Sequence, residues 1–530
     1  MPTESISYQK SGYFTKLMVD YLDENPELKS LYNRFPKLEN FKSQIEEKQK
    51  NYPHENRKVL VEALENQYNG FTISEPTLNN IKLLNLPNTY TITTGHQLNL
   101  FTGPLYFLYK IVSTINLCQE LKHAYPDCNF VPIYWMASED HDFDEINFFN
   151  FKNVKIKWNA ESHGPVGRLS TAGLEEVLEV FASELGFGQN ADYLKSLFEN
   201  SYLKHDTLAD ATRFLANEMF GDKGLVILDG DDKKLKQVFI PFVKEELLHQ
   251  TSFKKVSETN SILQKNYEIQ VNPREINLFY IEDELRERIV FEDNLFKINN
   301  TKLTFSEKEI LELLQSNPEK FSPNVILRPL YQEVILPNLC YIGGGGEISY
   351  WLQLQSNFEA SNVVFPILLI RNSVLLATEK QVQKADKLNL SWLDLFCNQQ
   401  ELFDNKTKEF STFKIDFSEQ KAHLKQQFEK LIDMANQTDK SFIGAVNAQQ
   451  IKQIKGLENL EKRLLKAEKR VHAEKLERIL LLQNELFPNQ GLQERKANFA
   501  EFYLDVNGKL IEKLFQELKP LASNFTIITL

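Results

Sequence analysis

Hydrophobic positions change their period several times along the chain. Over residues 1–85 the spacing is helical, around Tyr13, Leu17 and Tyr21 and again through 59–68, with breaks at Pro36, Pro53 and Gly70. This predicts a helical N-terminal layer. From residue 86 short apolar runs of strand type take over. The run 89–94, Gly95, a polar loop, Gly103-Pro104 and a helical stretch over 105–121 read as strand, loop, helix. A second run, 130–136, ends in the polar cluster 138–145, so two strands flank one helix in a βαβ unit with polar residues at its strand C-termini. Further strands are predicted at 224–228, 276–281, 288–291, 325–327 and 363–370, separated by helical stretches such as 233–248, which makes 86–385 an α/β core with connecting insertions.

After about residue 385 the strand signal fades. Leu424, Phe428, Leu431 and Ala435 follow at spacings of 4, 3 and 4, and Leu457, Leu460, Leu464, Ala467 and Val471 at 3, 4, 3 and 4, which is heptad spacing. The stripe breaks at Glu474 and resumes at Ile479, Leu482 and Leu486, as a stutter would. Two helices joined near 437–440 predict an antiparallel hairpin arm within 386–490. Residues 491–530 then return to the core and end in a strand at 527–530.

Composition narrows the class. With 530 residues, 42% hydrophobic and 25% charged, the chain is globular. Its 61 basic and 73 acidic residues leave a net charge of −12, which disfavours nucleic acid or an anionic membrane as partner. No apolar run approaches the ~20 residues of a membrane span, and the N-terminus has no secretory pattern. Cys118, Cys128, Cys340 and Cys397 form no CxxC pair, so neither a disulfide framework nor a zinc cradle is expected, and a reducing cytoplasm suits the chain.

Three stretches are candidates for chemistry. In TTGHQLNLFTGP, Gly95, His96 and Gln97 lie between a strand and a helix, with Gly103 just before the helix; free N–H groups there would suit a phosphate, and an ordinary capped turn fits the pattern equally. In SEDHDFDE, Glu139, Asp140, His141 and Asp142 follow a buried-type strand, where they can orient a general base, bind an amine or hold a divalent ion; a solvated acidic loop with a helix N-cap is the alternative. The third is RPLYQEVILPNLCYIGGGGEISYW, in which Gly343, Gly344, Gly345 and Gly346 permit close approach of a ligand, with Glu347 and Tyr350 beside them. It matches neither a dinucleotide turn nor a P-loop. Arg328 and Arg371 are candidate partners for carboxylate or phosphate, or members of structural ion pairs. Asp229 to Asp232 read as a helix-capping turn, and Glu494-Arg495-Lys496 as either charge projected onto the core or a solvated turn.

Taken together, TGHQ with TGPLYFLYK, ASEDHDFDEIN, NPREINLFY, RPLYQEVILPN with YIGGGGEISYW, FPILLIRNS and QERKANF resemble the cysteine-adding enzymes of bacillithiol biosynthesis over nearly the whole chain. The resemblance implies a Rossmann-like core related to nucleotidyltransferases, connecting insertions, and a coiled coil used for homodimerisation. It further implies addition of cysteine to glucosaminyl-malate. Because a free carboxylate is a poor acyl donor, the expected chemistry is ATP-linked activation of cysteine followed by amide formation, with ATP or ADP as nucleotide, Mg²⁺ allowed, and no zinc. Gly95, His96 and Gln97 would hold phosphate, and Glu139, Asp140, His141 and Asp142 the amine. The family usually has Gly-Gln-Gln where this chain has Gly95-His96-Gln97, which favours the acidic cluster over His96 as the reactive group. A non-catalytic dimeric nucleotide-binding scaffold, or an adenylating ligase for another substrate, would share these motifs.

Overall fold

In the computed structural model, which describes residues 4–506 and 508–530, the central sheet has five parallel strands. They are β1 (Thr89–His96), β2 (Asn129–Met136), β3 (Val226–Asp229), β4 (Asn338–Gly343) and β5 (Ile367–Ile370). Their order is β5-β4-β1-β2-β3. The chain moves outward from β1 to β3, then restarts beside β1 at β4 and moves outward the other way. That reversal opens a crevice at the C-terminal ends of β1 and β4, where open α/β sheets bind ligands.

Every residue of β1 is buried, as a parallel strand covered on both faces requires. Its hydroxyls are satisfied within the sheet: Thr91 and Thr93 donate to Asn338 Oδ1 at 3.2 and 2.9 Å, and Thr94 to the Ile342 carbonyl at 2.8 Å. Helix α1 (Tyr106–Ala124) crosses from β1 to β2. It is apolar almost all round because the sheet covers one side while Asn116, on another, donates to the Phe515 and Leu518 carbonyls of the C-terminal segment at 3.0 and 2.8 Å.

Strand β4 lies where the sequence pattern shows no strand. Pro337 and Asn338 read as loop residues, but Asn338 is fully buried, accepting from the two threonines and donating to Glu333 Oε1 at 2.6 Å. Residues 325–327, expected as a strand, instead form the turn into α2 (Arg328–Ile335), where Asn324 Oδ1 accepts the Ile326 N–H at 2.9 Å. The strand lies just before it, at Phe321–Pro323. It closes a second, antiparallel sheet ordered Thr304–Phe305, Leu295–Ile298, Leu285–Glu292, Leu278–Glu282, Phe321–Pro323. This sheet is inserted between β3 and β4 and stands over the crevice.

The N-terminal helices cover one flank. Tyr21 donates to the Leu368 carbonyl of β5 at 2.8 Å, and Lys48 forms a buried ion pair with Glu333 of α2 at 3.1 Å. Beyond α3 (Gly345–Trp351), the arm consists of α4 (Ser418–Ala435) and α5 (Lys440–Val471), an antiparallel pair tied by Lys421 and Glu461 at 2.5 Å and by a small cluster of Phe428, Ala435 and Val446. The break at Glu474 marks a change of role. Helix α6 (Ala473–Leu486) leaves the arm and buries Leu476, Ile479, Leu482 and Leu486 against the core. The tail strand Asn524–Thr529 runs antiparallel to Glu4–Ser7 and parallel to Ser373–Ala377, joining both ends of the chain in one small sheet.

Candidate active site

The crevice is a cleft of about 750 Å³. Strand β1 ends with Gly95 and His96 at the cleft floor, Gln97 follows directly after it, and the loop after β2 delivers Glu139 and Asp140. Backbone bonds from Gly167 N–H to the Ser138 carbonyl (2.8 Å) and from Val166 N–H to the Asp140 carbonyl (2.7 Å) pin that loop. Gln97 Nε2 donates to Asp140 Oδ2 and Glu145 Oε2, both at 3.0 Å, while Asp140 Oδ1 accepts the His141 N–H at 2.8 Å. Glu139 is held by Lys236 at 2.6 Å; the same ammonium lies 3.1 Å from Asp231, which Arg168 grips through two nitrogens at 2.8 and 3.0 Å. The turn at 229–232 also caps the next helix, Asp232 Oδ1 accepting from Lys234 and Leu235 N–H.

Facing this wall, Glu347 accepts from Tyr341 OH at 2.7 Å and from Gly344 N–H at 2.8 Å, and pairs with Lys110 at 2.5 Å. Burial alone would raise its carboxyl; Lys110 and these donors hold it below the ordinary range. Lys110 also donates to the Gly95 carbonyl at 2.7 Å, and burial lowers its own pKa. Arg328 is held by Gln332 Oε1 and Tyr350 OH, both at 3.1 Å. Arg274, Arg286 and Arg288 come from the insertion, the last two on one face of a strand by its two-residue alternation.

Several expected residues occupy other places. His96 is still part of β1, ten residues before the first residue of α1 at Tyr106, so no helix N-terminus stands at Gly95–Gln97. Its imidazole is buried against Tyr106 and Phe107, and burial followed by Lys110 and Arg371 pushes its pKa well down, leaving it neutral. His96 Nε2 shares a space of about 10 Å³, roughly one water molecule in size, with the otherwise unpartnered Asn99 Oδ1, Thr102 Oγ1, Tyr134 OH and Thr212 Oγ1. Gly103 lies outside the cleft, in a left-handed turn (φ +60°) where a Cβ would come within 2.6 Å of Asn99.

Of the four consecutive glycines only Gly344 and Gly346 line the cleft. Gly343 packs against Glu347 and Tyr341, and Gly345 faces Phe14 and Met18 of the N-terminal layer. His141 and Asp142 are exposed and do not line the cleft; His141 Nδ1 accepts from Arg286 Nη1 at 2.6 Å. Burial and then Arg286 lower its pKa. Arg371 lines the cleft but spends both terminal nitrogens on Glu494, at 3.1 and 2.7 Å.

The sequence pattern did not single out Tyr106, Lys110, Arg274, Arg286 or Arg288 as site residues. The Arg-Glu-Arg alternation at 286–288 was the available signal, but only the antiparallel insertion brings it over the sheet edge. Altogether seven cationic side chains and three carboxylates line the cleft. Among the described residues, no three His, Cys, Asp or Glu side chains group closely enough to hold a metal ion, and no helix is long and apolar enough to cross a membrane.

Residues 1–372 match the family model for the N-terminal Rossmann-like domain of BshC of bacillithiol biosynthesis, and residues 374–530 match its C-terminal coiled-coil domain. Full-length relatives carry the name "Putative cysteine ligase BshC". The protein of Flavobacterium psychrophilum is 65% identical over 100% of this chain and 99% of its own length. That of Flavobacterium johnsoniae is 63% identical over 100% of both, and that of Christiangramia forsetii 57% over 100% and 99%. With both domains matched in order and the Rossmann-like core and helical arm in place, the chain belongs to the BshC family of bacillithiol biosynthesis.

Proposed function

We propose that the chain is a ligase that joins cysteine to the amino group of glucosaminyl-malate, with ATP activating the cysteine carboxylate. One observation carries this reading: in a chain of net charge −12, the crevice at the sheet reversal is lined by seven cations against three carboxylates. Such a cleft concentrates anions, and every substrate named here bears carboxylates or phosphates. The relatives' name supplies cysteine and the reaction class.

The guanidinium-rich lining fits a polyphosphate, so the cleft suits the nucleotide. When bound, ATP supplies the phosphorus that bonds to a carboxylate oxygen and gives the acyl carbon a leaving group. Arg274, Arg286, Arg288 and Arg328 bind and orient anionic groups. Gly344 and Gly346 let a ligand approach the backbone. Asp140, fixed by Gln97, receives the substrate ammonium and takes its proton as nitrogen attacks the acyl carbon; the phosphate group departs with the C–O bonding electrons. Glu139, tied to Lys236, forms the wall behind it. The protein works as a homodimer in the cytoplasm, its arms paired through the exposed Met434, Phe442, Ile451 and Leu460.

The test is mass-spectrometric product detection with pure protein, cysteine, glucosaminyl-malate and ATP. The expected product is the amide of cysteine and glucosaminyl-malate. No amide, or equal yields with serine and alanine in place of cysteine, would overturn the reading.

A further inference from the structure

The C-terminal domain reaches the cleft through one short turn. Separated from the end of α6 by six residues, Gln493–Arg495 lie along the strand Ser373–Ala377: Gln493 Oε1 accepts the Leu376 N–H and its Nε2 donates to the Leu376 carbonyl, both at 3.0 Å. Glu494 accepts the Val374 N–H at 3.0 Å and takes two bonds from Arg371. Both members of that ion pair are buried, with side chains 4% and 1% exposed. The turn is therefore fixed against the core, and its next residue, Arg495, is exposed and lines the cleft.

Two groups at this corner lack a hydrogen-bond partner among the described residues. The Arg495 guanidinium makes no hydrogen bond or ion pair among the described residues, although its charge reaches Tyr106. The Nε of Arg371 is buried and unpartnered, while the guanidinium lies 5.1 Å from the Tyr106 ring centre and Nε would be 3.8 Å from a Cβ on Gly344. Nearby Glu347 is neutralised by Lys110, and Glu494 by Arg371, so the Arg495 charge is left uncompensated at this corner. A buried N–H donor without an acceptor is costly, and an oxyanion would supply one.

We propose that Arg495 and Arg371 Nε, beside Tyr106 and Gly344, form an oxyanion subsite shared by the two domains, taking one carboxylate or phosphate of the substrate set. Glu494 is its positioning residue: by engaging both terminal nitrogens of Arg371 it leaves Nε as the one guanidinium nitrogen without a partner. The proposal rests on the reading of this cleft as the ligase site, and it makes the turn that follows the coiled-coil arm a part of that site.

The test reads binding without turnover, so it stands or falls separately from product formation. The affinities of cysteine, L-malate and ADP are each measured by calorimetry on the full-length wild type, Arg495→Ala and Arg495→Lys. One probe is expected to lose tenfold or more in affinity in Arg495→Ala and to recover part of it in Arg495→Lys, while the other two change less than threefold. Which probe responds identifies the source of the oxyanion: the amino acid, the malyl group or the nucleotide. Unchanged affinity for all three in Arg495→Ala, an equal loss for all three, or no binding of any probe to the wild type would overturn it.

Discussion

Asp140 and His141 are sequence neighbours with different surroundings. Asp140 lines the cleft with Gln97 on its carboxylate, whereas His141 is exposed at the rim with its Nδ1 committed to Arg286. Asp140→Asn is expected to lower the rate of amide formation by about 10²-fold or more, the usual worth of a positioned base, with an unchanged melting midpoint. His141→Ala should cost less than about tenfold, because removing it releases only a rim contact. Comparable losses in both variants would put the base elsewhere. The acidic cluster was legible because its carboxylates directly follow a strand of buried type. Which member faces inward was not, since that depends on Gly167 and Val166 pinning the loop from across the fold. Behind the site, burial and then Asp231 push the Asp229 carboxyl up to about 6. A group raised in the folded state contributes stability in full below its unfolded value, near ~4, and loses it as pH rises through about 6. Asp229→Asn, neutral throughout, should therefore gain thermal midpoint relative to wild type between pH 5 and 7.5; parallel profiles would contradict this.

Elements that show their own periodicity were read correctly, and elements defined by their neighbours were not. The heptads of α4 and α5 and the apolar runs of β1 and β2 are local properties. Strand β4 depends on Asn338 finding two threonine hydroxyls in β1 and a carboxylate in α2, a network spread over 247 positions of sequence. That same carboxylate, Glu333, ties the N-terminal helix Asn40–Asn51 to α2 through Lys48, with both side chains buried. Removing one partner of such a pair leaves an uncompensated charge and typically costs about 3–5 kcal/mol. Lys48→Ala should lower the unfolding free energy measured by urea titration by that much, and Lys48→Met with Glu333→Gln should restore most of it. A loss below about 1 kcal/mol in the single variant would show that the remaining Gln332 and Asn338 donors satisfy Glu333 unaided.

At the scale of the whole molecule, an acidic surface encloses a cationic cleft, and an arm projects apolar side chains away from the core. Exposed Ile451 and Leu460 lie on α5, the helix that carries the clearest heptads. Ile451→Glu with Leu460→Glu is expected to convert a dimer into a monomer in sedimentation at micromolar concentration; a dimer that survives the change would place the contact elsewhere. The arm's charge and spacing declare a coiled coil in the sequence, but nothing there shows that the turn following it supplies Arg495 to the cleft. The central claim is that this cleft forms an amide from a carboxylate activated by ATP, and the fate of one oxygen tests it most directly. With cysteine labelled by ¹⁸O in both carboxylate positions, each amide formed should place one labelled oxygen in the AMP or inorganic phosphate released. Amide formation with no label in either phosphate product would contradict the account.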